Sequence, residues 1–247
     1  MTTPNTFVLW NSAGLRASTA STSQKFSFFD SQFKNANFSI AAFVETHHKD
    51  HKDFTQDFFQ YHQTHTIVHS PVKDETHSGI IILISKEYEI LDETETLPGR
   101  LFTVKLKKRG IETILTVFYG HQWGKMNKED ILKILTTFEY LHDSQENNII
   151  LGDFNFVDLD VDKGKKMNGK DKMIKPIWDQ FLAKSAMVDP FRMQYPTRKL
   201  YSFTSAQGKS RGDRIYVSDH NVASIRNIRY INTPFLTAHK MMTFDLQ

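Results

Sequence analysis

The sequence predicts an α/β protein in which two mixed β-sheets pack face to face and helices cover their outer faces. Strand-like runs outnumber helical ones, and several are joined by short turns, such as LPG at 97–99 and KRG at 108–110. Such turns favour hairpins mixed with longer crossovers over a purely parallel sheet. Two mixed sheets suit a chain of 247 residues, and no linker or repeat divides it. We therefore expect a single domain over residues 1–247.

Nine runs of strand type follow one another along the chain. In order, they are TFVLW at 6–10, SIAAFVE at 39–45, HTIVHS at 65–70, GIIILIS at 79–85, LFTVKLK at 101–107, ETILTVFY at 112–119, NNIILGDF at 147–154, DRIYVS at 213–218 and MMTFDLQ at 241–247. Most are rich in β-branched and aromatic residues, which favour strands.

Three helices are predicted between these strands. The clearest begins at Asn127, a residue type that favours helix N-caps, and Asp130 follows three positions later. The second covers about 23–33, where one stripe holds Phe26, Phe29 and Phe33. The third covers about 177–186 and presents Ile177, Trp178, Phe181 and Leu182. Apolar residues at helical spacing are most simply core residues, so we expect these stripes to face a sheet.

Composition excludes several classes of protein. The chain has no Cys, which rules out disulfides and thiolate zinc sites and fits a reducing compartment. No apolar stretch approaches the length of a membrane span, and the N-terminus lacks the pattern of a signal peptide. The net charge of +3 is too small to indicate nucleic-acid binding by itself. Any such argument has to come from clustering.

Basic residues do cluster. Six Lys and a single acid, Asp171, fall between Lys163 and Lys175, and KLKKRG occupies 105–110. A third group is spread over Arg192, Arg198, Lys199, Lys209, Arg211 and Arg214. Any one of these groups could be a solvated loop. Because all three lie near polar motifs in the sequence, we predict a surface that faces phosphates.

Polar side chains follow or precede strand-like runs at several points. They are Asn11, Glu45, Tyr119, Asp153, Asn155, Asp213 and His239. Asp153 and Asn155 alternate and so share a face at a strand end, with Phe154 turned inward. Carboxylates, amides and one His suit an oxygen-ligated cation such as Mg²⁺ and an acid–base partner. We expect His47, His48 and His51 to form a solvated loop and not a zinc site.

The order and spacing of these motifs resemble the endonuclease/exonuclease/phosphatase superfamily, whose fold is the DNase I-like four-layer sandwich. The motifs run from WNSAGL through FVET, FYGHQ, GDFN, DPFR, YSFTS and RGDRIYVS to AHK, over nearly the whole chain. The chain looks most similar to the apurinic-type endonuclease domain in the second open reading frame of LINE-type (non-LTR) retrotransposons. The spacing of the YSFTS and SRGDRIYVS motifs, with Asp189 and Arg192 upstream of them, points to that branch. The resemblance implies a domain of a longer protein that carries a reverse transcriptase.

The resemblance also implies catalytic roles. Glu45 would hold Mg²⁺, or Mn²⁺, with help from Asn11. Asp153 would orient or activate the attacking water, and Asn155 would hold the scissile phosphate. Tyr119 would donate a hydrogen bond to that phosphate.

Further roles concern the imidazole and the DNA. Asp213 would orient His239, which would stabilise charge in the transition state. Contacts to DNA would come from Gln122, Ser202 and Ser210. The basic clusters add Arg211, Lys165 and Lys166 as expected DNA contacts. Arg192 would be a structural ion-pair partner.

The chain departs from the family at one position. The family has Ser-Asp-His or Thr-Asp-His before the last strand, and this chain has Ala238 between Thr237 and His239. Ala supplies neither the charge nor the acceptor of that Asp. Either this element has drifted, or the Asp was replaced to disable a nuclease. Should another carboxylate take over, Asp219 is the first candidate, because it follows the DRIYVS strand.

Three hypotheses on function remain open. The first is a Mg²⁺-dependent endonuclease that nicks double-stranded DNA and leaves a 3′-hydroxyl to prime reverse transcription. The second is a repair-type apurinic endonuclease or phosphoesterase, and the third is a DNA-binding module without catalysis. The first implies a nuclear, monomeric domain that makes no membrane contact and meets the element's RNA only through its parent protein.

Overall fold

The computed structural model describes residues 5–15, 20–33, 37–49, 58–72, 77–120, 134, 136–137, 147–233 and 236–247. Within these residues the chain forms two six-stranded mixed sheets and a separate two-stranded hairpin. The predicted fold class is therefore confirmed. None of the described helices is long and apolar enough to span a lipid bilayer.

The first sheet has the strand order β13-β14-β1-β2-β4-β3. Its strands are β1 (Asn5–Asn11), β2 (Ile40–Val44), β3 (His65–Ser70), β4 (Ile80–Ser85), β13 (Ile225–Ile231) and β14 (Met241–Leu246). The β1–β2 pair is parallel, and the other pairs in this sheet are antiparallel.

The second sheet has the order β5-β6-β7-β8-β12-β9. Its strands are β5 (Glu89–Leu97), β6 (Leu101–Lys108), β7 (Ile111–Tyr119), β8 (Asn147–Asp153), β9 (Met187–Val188) and β12 (Asp213–Ser218). Here only β7 and β8 run parallel. The hairpin consists of β10 (Phe203–Ser205) and β11 (Gly208–Ser210).

The main core lies between the two sheets. It contains Leu9, Val44 and Ile82 of the first sheet and Val117 and Leu151 of the second, all fully buried. Both sheets are also covered on their outer faces, so β2 and β4 are apolar on both sides. Continuous burial explains why their sequences read as unbroken apolar runs.

Two helices cover the outer faces. The helix α1 (Ala20–Gln32) packs Phe26 and Phe29 against the first sheet. The helix α2 (Gly169–Ser185) packs Trp178 and Phe181 against the second. The aromatic stripes are thus core residues, as predicted. The prediction is wrong for Ile177, because 42% of its surface is exposed.

Helix starts were less well predicted than strands. The helix α2 begins eight residues before the predicted start, at an Asn168 cap whose side chain and that of Asp171 close a capping box. Most of the helix predicted from Asn127 lies outside the described residues. Of it, only Ile134, Thr136 and Thr137 are described, and they are helical. A short third helix, α3 (Pro190–Gln194), was not predicted.

The strand directions place the candidate residues at one rim of the sandwich. β1, β2, β7 and β8 end there, and β12 begins there, because β12 runs antiparallel to β8. Asp213 lies directly opposite Asp153 in that pair, and Tyr119 lies opposite Asp153 in the parallel pair. The hairpin β10–β11 adjoins the same rim through a bridge between Phe203 and His239.

Candidate active site

Asn11 connects the ends of the two sheets. Its side-chain nitrogen Nδ2 donates to Glu45 Oε2 and to Asp153 Oδ2, at 2.9 Å in each case. Its side-chain oxygen accepts from the backbone N–H of Ala13 at 3.1 Å. Because Asn11 is fully buried, these bonds fix two carboxylates relative to each other across the sandwich.

The backbone at this rim is held in an unusual conformation. Ala13, Glu45, His47 and Asn155 have φ angles between 47° and 60°. Residues other than Gly rarely adopt such left-handed angles, and they persist where the surroundings enforce them, often at functional sites. Their concentration on the loops after β1, β2 and β8 supports a functional rim.

Lys25 is a positioning residue that the sequence did not reveal. Its amino group comes from α1 and donates to the carbonyl oxygens of Ser12 at 2.7 Å, Ala13 at 3.1 Å and Gly14 at 2.8 Å. The side chain is 4% exposed. It therefore holds the loop that follows Asn11.

Asp153 is brought to the rim by the glycine before it. A Cβ on Gly152 would collide with the carbonyl oxygen of Phe118 on the neighbouring strand. Asp153 accepts from the backbone N–H of Asn155 at 3.0 Å and from its side chain at 3.2 Å. Burial, together with the charge of Asp213, raises the pKa of Asp153 to about 6.

His239 is oriented by Asp213, as the family resemblance implied. Its Nδ1 lies 2.9 Å from Asp213 Oδ2, and its Nε2 lies 3.9 Å from Asp153 Oδ2. Burial opposes a charged imidazole, but Asp213 and the carboxylates of Asp153 and Glu45 outweigh it and raise the pKa of His239 to about 9. The ring is therefore positively charged at neutral pH. Phe203 packs against it, with ring centres 4.8 Å apart.

Glu45 and Tyr119 carry opposite pKa shifts. Burial disfavours the charged form of Glu45, but hydrogen bonds from His47, Asn11 and Tyr119, together with the charge of His239, lower its pKa to about 2. Burial and the charges of Glu45 and Asp153 raise the pKa of Tyr119 well above its ordinary value. The rim thus holds an ionised carboxylate beside a phenol that keeps its proton.

These residues fit a hard divalent cation. The Glu45 carboxylate is ionised and a fifth exposed, and Asp153 offers a second oxygen ligand nearby, linked to it through Asn11. Oxygen ligands are those that Mg²⁺ and Mn²⁺ prefer. Asn11 directs its nitrogen at both carboxylates, so in this arrangement it orients Glu45 and does not offer its oxygen.

Two predicted DNA contacts are inconsistent with the structure. Arg211 is fully buried, and its guanidinium binds Asp162 at 2.5 and 3.0 Å and Asp189 at 2.5 Å. Ser202 is 1% exposed, and its hydroxyl accepts from the backbone N–H of Asp213 at 3.0 Å. Neither side chain can reach a phosphate without losing these partners.

The other predicted contacts lie elsewhere. Ser210 and Lys165 line a groove of about 290 Å³ beside Asp153 and His239. Lys166 is exposed next to Lys165 but does not line the groove. Gln122 lies outside the described residues.

The groove also has cationic walls. Lys163 and Lys170 line it from the segment that opens α2, and Lys209 lines it from the hairpin. Lys163 is paired with Asp171. Burial lowers the pKa of Lys170, while Asp171 and Asp153 raise it in part. A chain of phosphates lying in this groove would meet several Lys within reach of the carboxylates.

Ala238 and Asp219 occupy different places. Ala238 is exposed beside His239, and its carbonyl oxygen accepts from the N–H of Thr204 at 3.0 Å. Asp219 follows the far end of β12, six residues beyond Asp213, and is exposed beside His220. The suggestion that Asp219 replaces the missing Asp is therefore wrong, since about 20 Å of strand separates it from the site.

A buried ion cluster supports the hairpin and α3. Asp162 accepts from both Arg211 and Arg192, which confirms the structural role predicted for Arg192. Burial alone raises the pKa of Asp162, but these two guanidinium groups outweigh it and lower that pKa. The cluster therefore holds the loop before β12 in place.

Removing Asp162 is expected to destabilise the protein strongly. The change Asp162→Ala leaves two Arg side chains without their shared carboxylate, which costs about 3–5 kcal/mol of unfolding free energy. Because the pKa of Asp162 is lowered in the folded state, its contribution is present above about pH 4 and is lost as the pH falls further. Urea denaturation measures both effects. Asp219→Ala, at an exposed acid, is the control, and an equal loss there would contradict this role.

The fold is similar to that of several solved structures of DNA-processing proteins. It matches AP endonuclease LMAP from Leishmania major with a TM-score of 0.79 at 18% identity, over 98% of this chain and 87% of that one. An AP endonuclease from Archaeoglobus fulgidus matches with 0.72 at 18%, over 98% and 99%. The 3′ phosphatase NExo from Neisseria, bound to a product DNA hairpin, matches with 0.72 at 14%, over 98% and 99%. The chain therefore has the DNase I-like fold.

One transposon protein is similar to the chain in sequence. The chain is 26% identical over 166 residues to the Transposon TX1 uncharacterized 149 kDa protein of Xenopus laevis. That match covers 65% of this chain and 12% of the transposon protein, so the chain spans a small part of that relative's length. No protein-family model matches the chain.

Proposed function

We propose that this chain is the endonuclease domain of a LINE-type retrotransposon protein. It nicks double-stranded DNA with the help of Mg²⁺ or Mn²⁺ and leaves a 3′-hydroxyl from which the parent protein primes reverse transcription. The observation that carries the proposal is the meeting of two hydrogen-bonded groups at one rim. Asn11 bonds to Glu45 and Asp153, Asp213 bonds to His239, and His239 Nε2 lies 3.9 Å from Asp153 Oδ2. These groups border a groove with cationic walls. The similarity to a transposon protein supports the parent assigned here.

The residues divide the work of phosphodiester hydrolysis. Asp153 accepts the proton of the attacking water, whose oxygen forms the new bond to phosphorus as the bond to the 3′ oxygen breaks. Asn155, held by Asp153, orients the phosphate. The charged His239 and the phenol of Tyr119 stabilise negative charge that develops on the phosphate oxygens.

The cation has a defined place in this scheme. Glu45 would hold it, oriented by Asn11, and Mg²⁺ would supply charge neutralisation at the phosphate. Glu45 is suited to this because its pKa of about 2 keeps it ionised.

Double-stranded DNA is the proposed partner. The bound product hairpin in the related phosphatase fold supports it, as do the Lys side chains that line the groove. A nuclear location, a monomeric state and contact with RNA only through the parent protein follow from the same proposal.

Two alternatives are separated by experiment. The likeness to AP endonucleases favours a repair-type enzyme as the second candidate, and incision of abasic duplex but not of intact duplex would support it. Ala238 favours a DNA-binding module without catalysis as the third. That hypothesis predicts DNA binding with no nicking by the chain with Ala238 under any metal condition.

The test of the proposal is nicking of supercoiled plasmid, with the Ala238→Asp form included because the site lacks one acid. We expect relaxed circles in Mg²⁺ or Mn²⁺ and none after chelation, because the ligands are hard oxygens. Polymerase extension from the nick reports the 3′-hydroxyl. Nicking that persists in excess chelator would disprove the metal-dependent mechanism.

The Lys residues that line the groove should determine how strongly DNA affinity depends on salt concentration. Changing Lys163, Lys165 and Lys170 to Gln should weaken binding to all duplex sequences about equally. The slope of log affinity against log salt should flatten by about one unit for each phosphate that the variant no longer neutralises. Lys172→Gln is the matched control, because Lys172 is exposed on α2 and does not line the groove. If the slope stays the same in the triple variant, these Lys do not contact phosphates and are ordinary solvated surface residues.

A further inference from the structure

A second group of metal-binding side chains lies on the other side of Glu45. Side-chain ligand atoms of Glu45, His47 and His77 lie within 4.8 Å of one another. We propose that these residues bind a divalent transition-metal ion, Zn²⁺ in preference to Mg²⁺. The inference goes beyond the nuclease proposal and does not depend on it, because its test measures metal binding without DNA.

The distances between these side chains are close to those between ligands of one bound zinc ion. Two atoms held by one tetrahedral zinc lie about 3.4 Å apart, and Glu45 Oε1 lies 3.5 Å from His47 Nε2. Two imidazole rings on such an ion would have centres about 5 Å apart. The rings of His47 and His77 have centres 5.3 Å apart and an angle of 75° between their planes. Small rotations of the exposed His77 would close the site.

The backbone brings the two His residues together although 30 positions separate them in the chain. The N–H of Thr46 donates to the carbonyl of Gly79 at 3.2 Å, and the N–H of His47 donates to the carbonyl of Ser78 at 2.8 Å. A Cβ on Gly79 would collide with the Thr46 side chain. Gly at that position therefore permits the close approach that places His77 beside His47.

The two oxygens of Glu45 face different partners. Oε2 accepts from Asn11 on the side of Asp153, whereas Oε1 faces His47. The carboxylate can therefore serve both groups. Two imidazoles and one carboxylate form a ligand set found in catalytic zinc sites, with a fourth position left for water. Imidazole selects Zn²⁺, Co²⁺ or Cu²⁺ over Mg²⁺.

The solvated His-rich loop that the sequence predicts here is not what the structure shows. His48 is 1% exposed and so does not belong to a solvated loop, and His51 lies outside the described residues. The residue that lies beside His47 is His77, which comes from the segment before β4. No spacing along the chain could indicate that pair.

The experiment is a titration of chelator-treated protein with Co²⁺ and then Zn²⁺. Four-coordinate Co²⁺ bound to imidazole absorbs strongly in the visible range. Zn²⁺ should displace the bound Co²⁺ and so abolish that absorption band. Calorimetry gives the Zn²⁺ affinity and stoichiometry. We expect one ion per chain, and at least about tenfold weaker Zn²⁺ binding in His77→Ala and His47→Ala, because loss of a residue that only supports a ligand already costs about that much.

The controls locate the ion. His220→Ala removes an exposed His that also lies beside an acid, Asp219, and should leave the affinity unchanged. His77→Ala changes an exposed side chain, and circular dichroism checks its fold. The proposal fails if the Co²⁺ band is absent, or if His77→Ala binds as the parent does. It also fails if binding is lost only in His239→Ala, which would place the ion at Asp153, Asp213 and His239.

Discussion

Replacing Ala238 with Asp should raise plasmid nicking at least about 100-fold, the scale on which residues that surround metal ligands act. Ala238 is exposed directly before His239, and its backbone is fixed by the bond from Thr204. A new side chain there can add a carboxylate without moving the imidazole. That carboxylate strengthens Mg²⁺ binding and supplies an acceptor to a group whose members act as a unit.

Three measurements decide this prediction. Initial nicking rates are compared for the two forms across Mg²⁺ concentrations, and DNA affinity is measured without metal and should not rise. Ala223→Asp is the matched control, since it adds the same charge at an exposed position in the turn after β12. If the parent chain already nicks as fast as the Asp form, another group performs the work assigned to position 238.

Changing Asp153 to Asn in the Ala238→Asp background should reduce nicking by about 100-fold to 10,000-fold, the usual contribution of a general base. The amide has the same shape, and its one oxygen can still accept from the side chains of Asn11 and Asn155, although the acceptor for the backbone N–H of Asn155 is lost. The amide cannot take a proton from water. Glu45→Gln should also reduce nicking, through loss of the charge that holds the cation.

The thermal stability of the Asp153→Asn variant should not fall with its nicking rate. Because burial and Asp213 raise the pKa of Asp153 to about 6, the folded state disfavours its charge at neutral pH. Asp153→Asn removes that cost, so its thermal midpoint should equal or exceed that of the parent chain. Asp179→Asn, on the exposed face of α2, should change neither rate nor midpoint. A slow Asp153→Asn variant that is also unfolded would leave its role in catalysis unsupported.

The sequence predicted the strands whose residues are buried. β3 and β12 have the predicted bounds, and most of the other predicted strands differ by one residue at an end. Two edge strands, β5 and β13, escaped prediction because they lack an apolar run. β5 reads EILDETETL and is largely exposed, and β13 carries Arg226 and Arg229 with an irregular register between them. Charges on an edge protect it from pairing with other chains, which makes it look like a loop.

Most members of the candidate site and its Asp213–His239 pair were predicted, but the support from Lys25 and the bonds of Asn11 to two carboxylates were not. Sequence order placed Asn11, Glu45, Asp153 and His239 after or before strands, and strand direction brings them together. The burial of Arg211 could not be predicted, because its partner Asp162 lies 49 positions away. A basic residue in a cluster of basic residues resembles a DNA contact until its counter-charges are located.

The hairpin β10–β11 gives the domain an engineering constraint. Its base is joined to His239 through the Phe203 bridge and ring contact, and the carbonyl oxygen of Ser202 accepts from the N–H of Lys240 at 2.7 Å. The turn at 206–207 is exposed. If the proposed function holds, we expect a new turn grafted at 206–207 to leave the imidazole in place, whereas exchanging the whole hairpin should displace it and slow cleavage on every target.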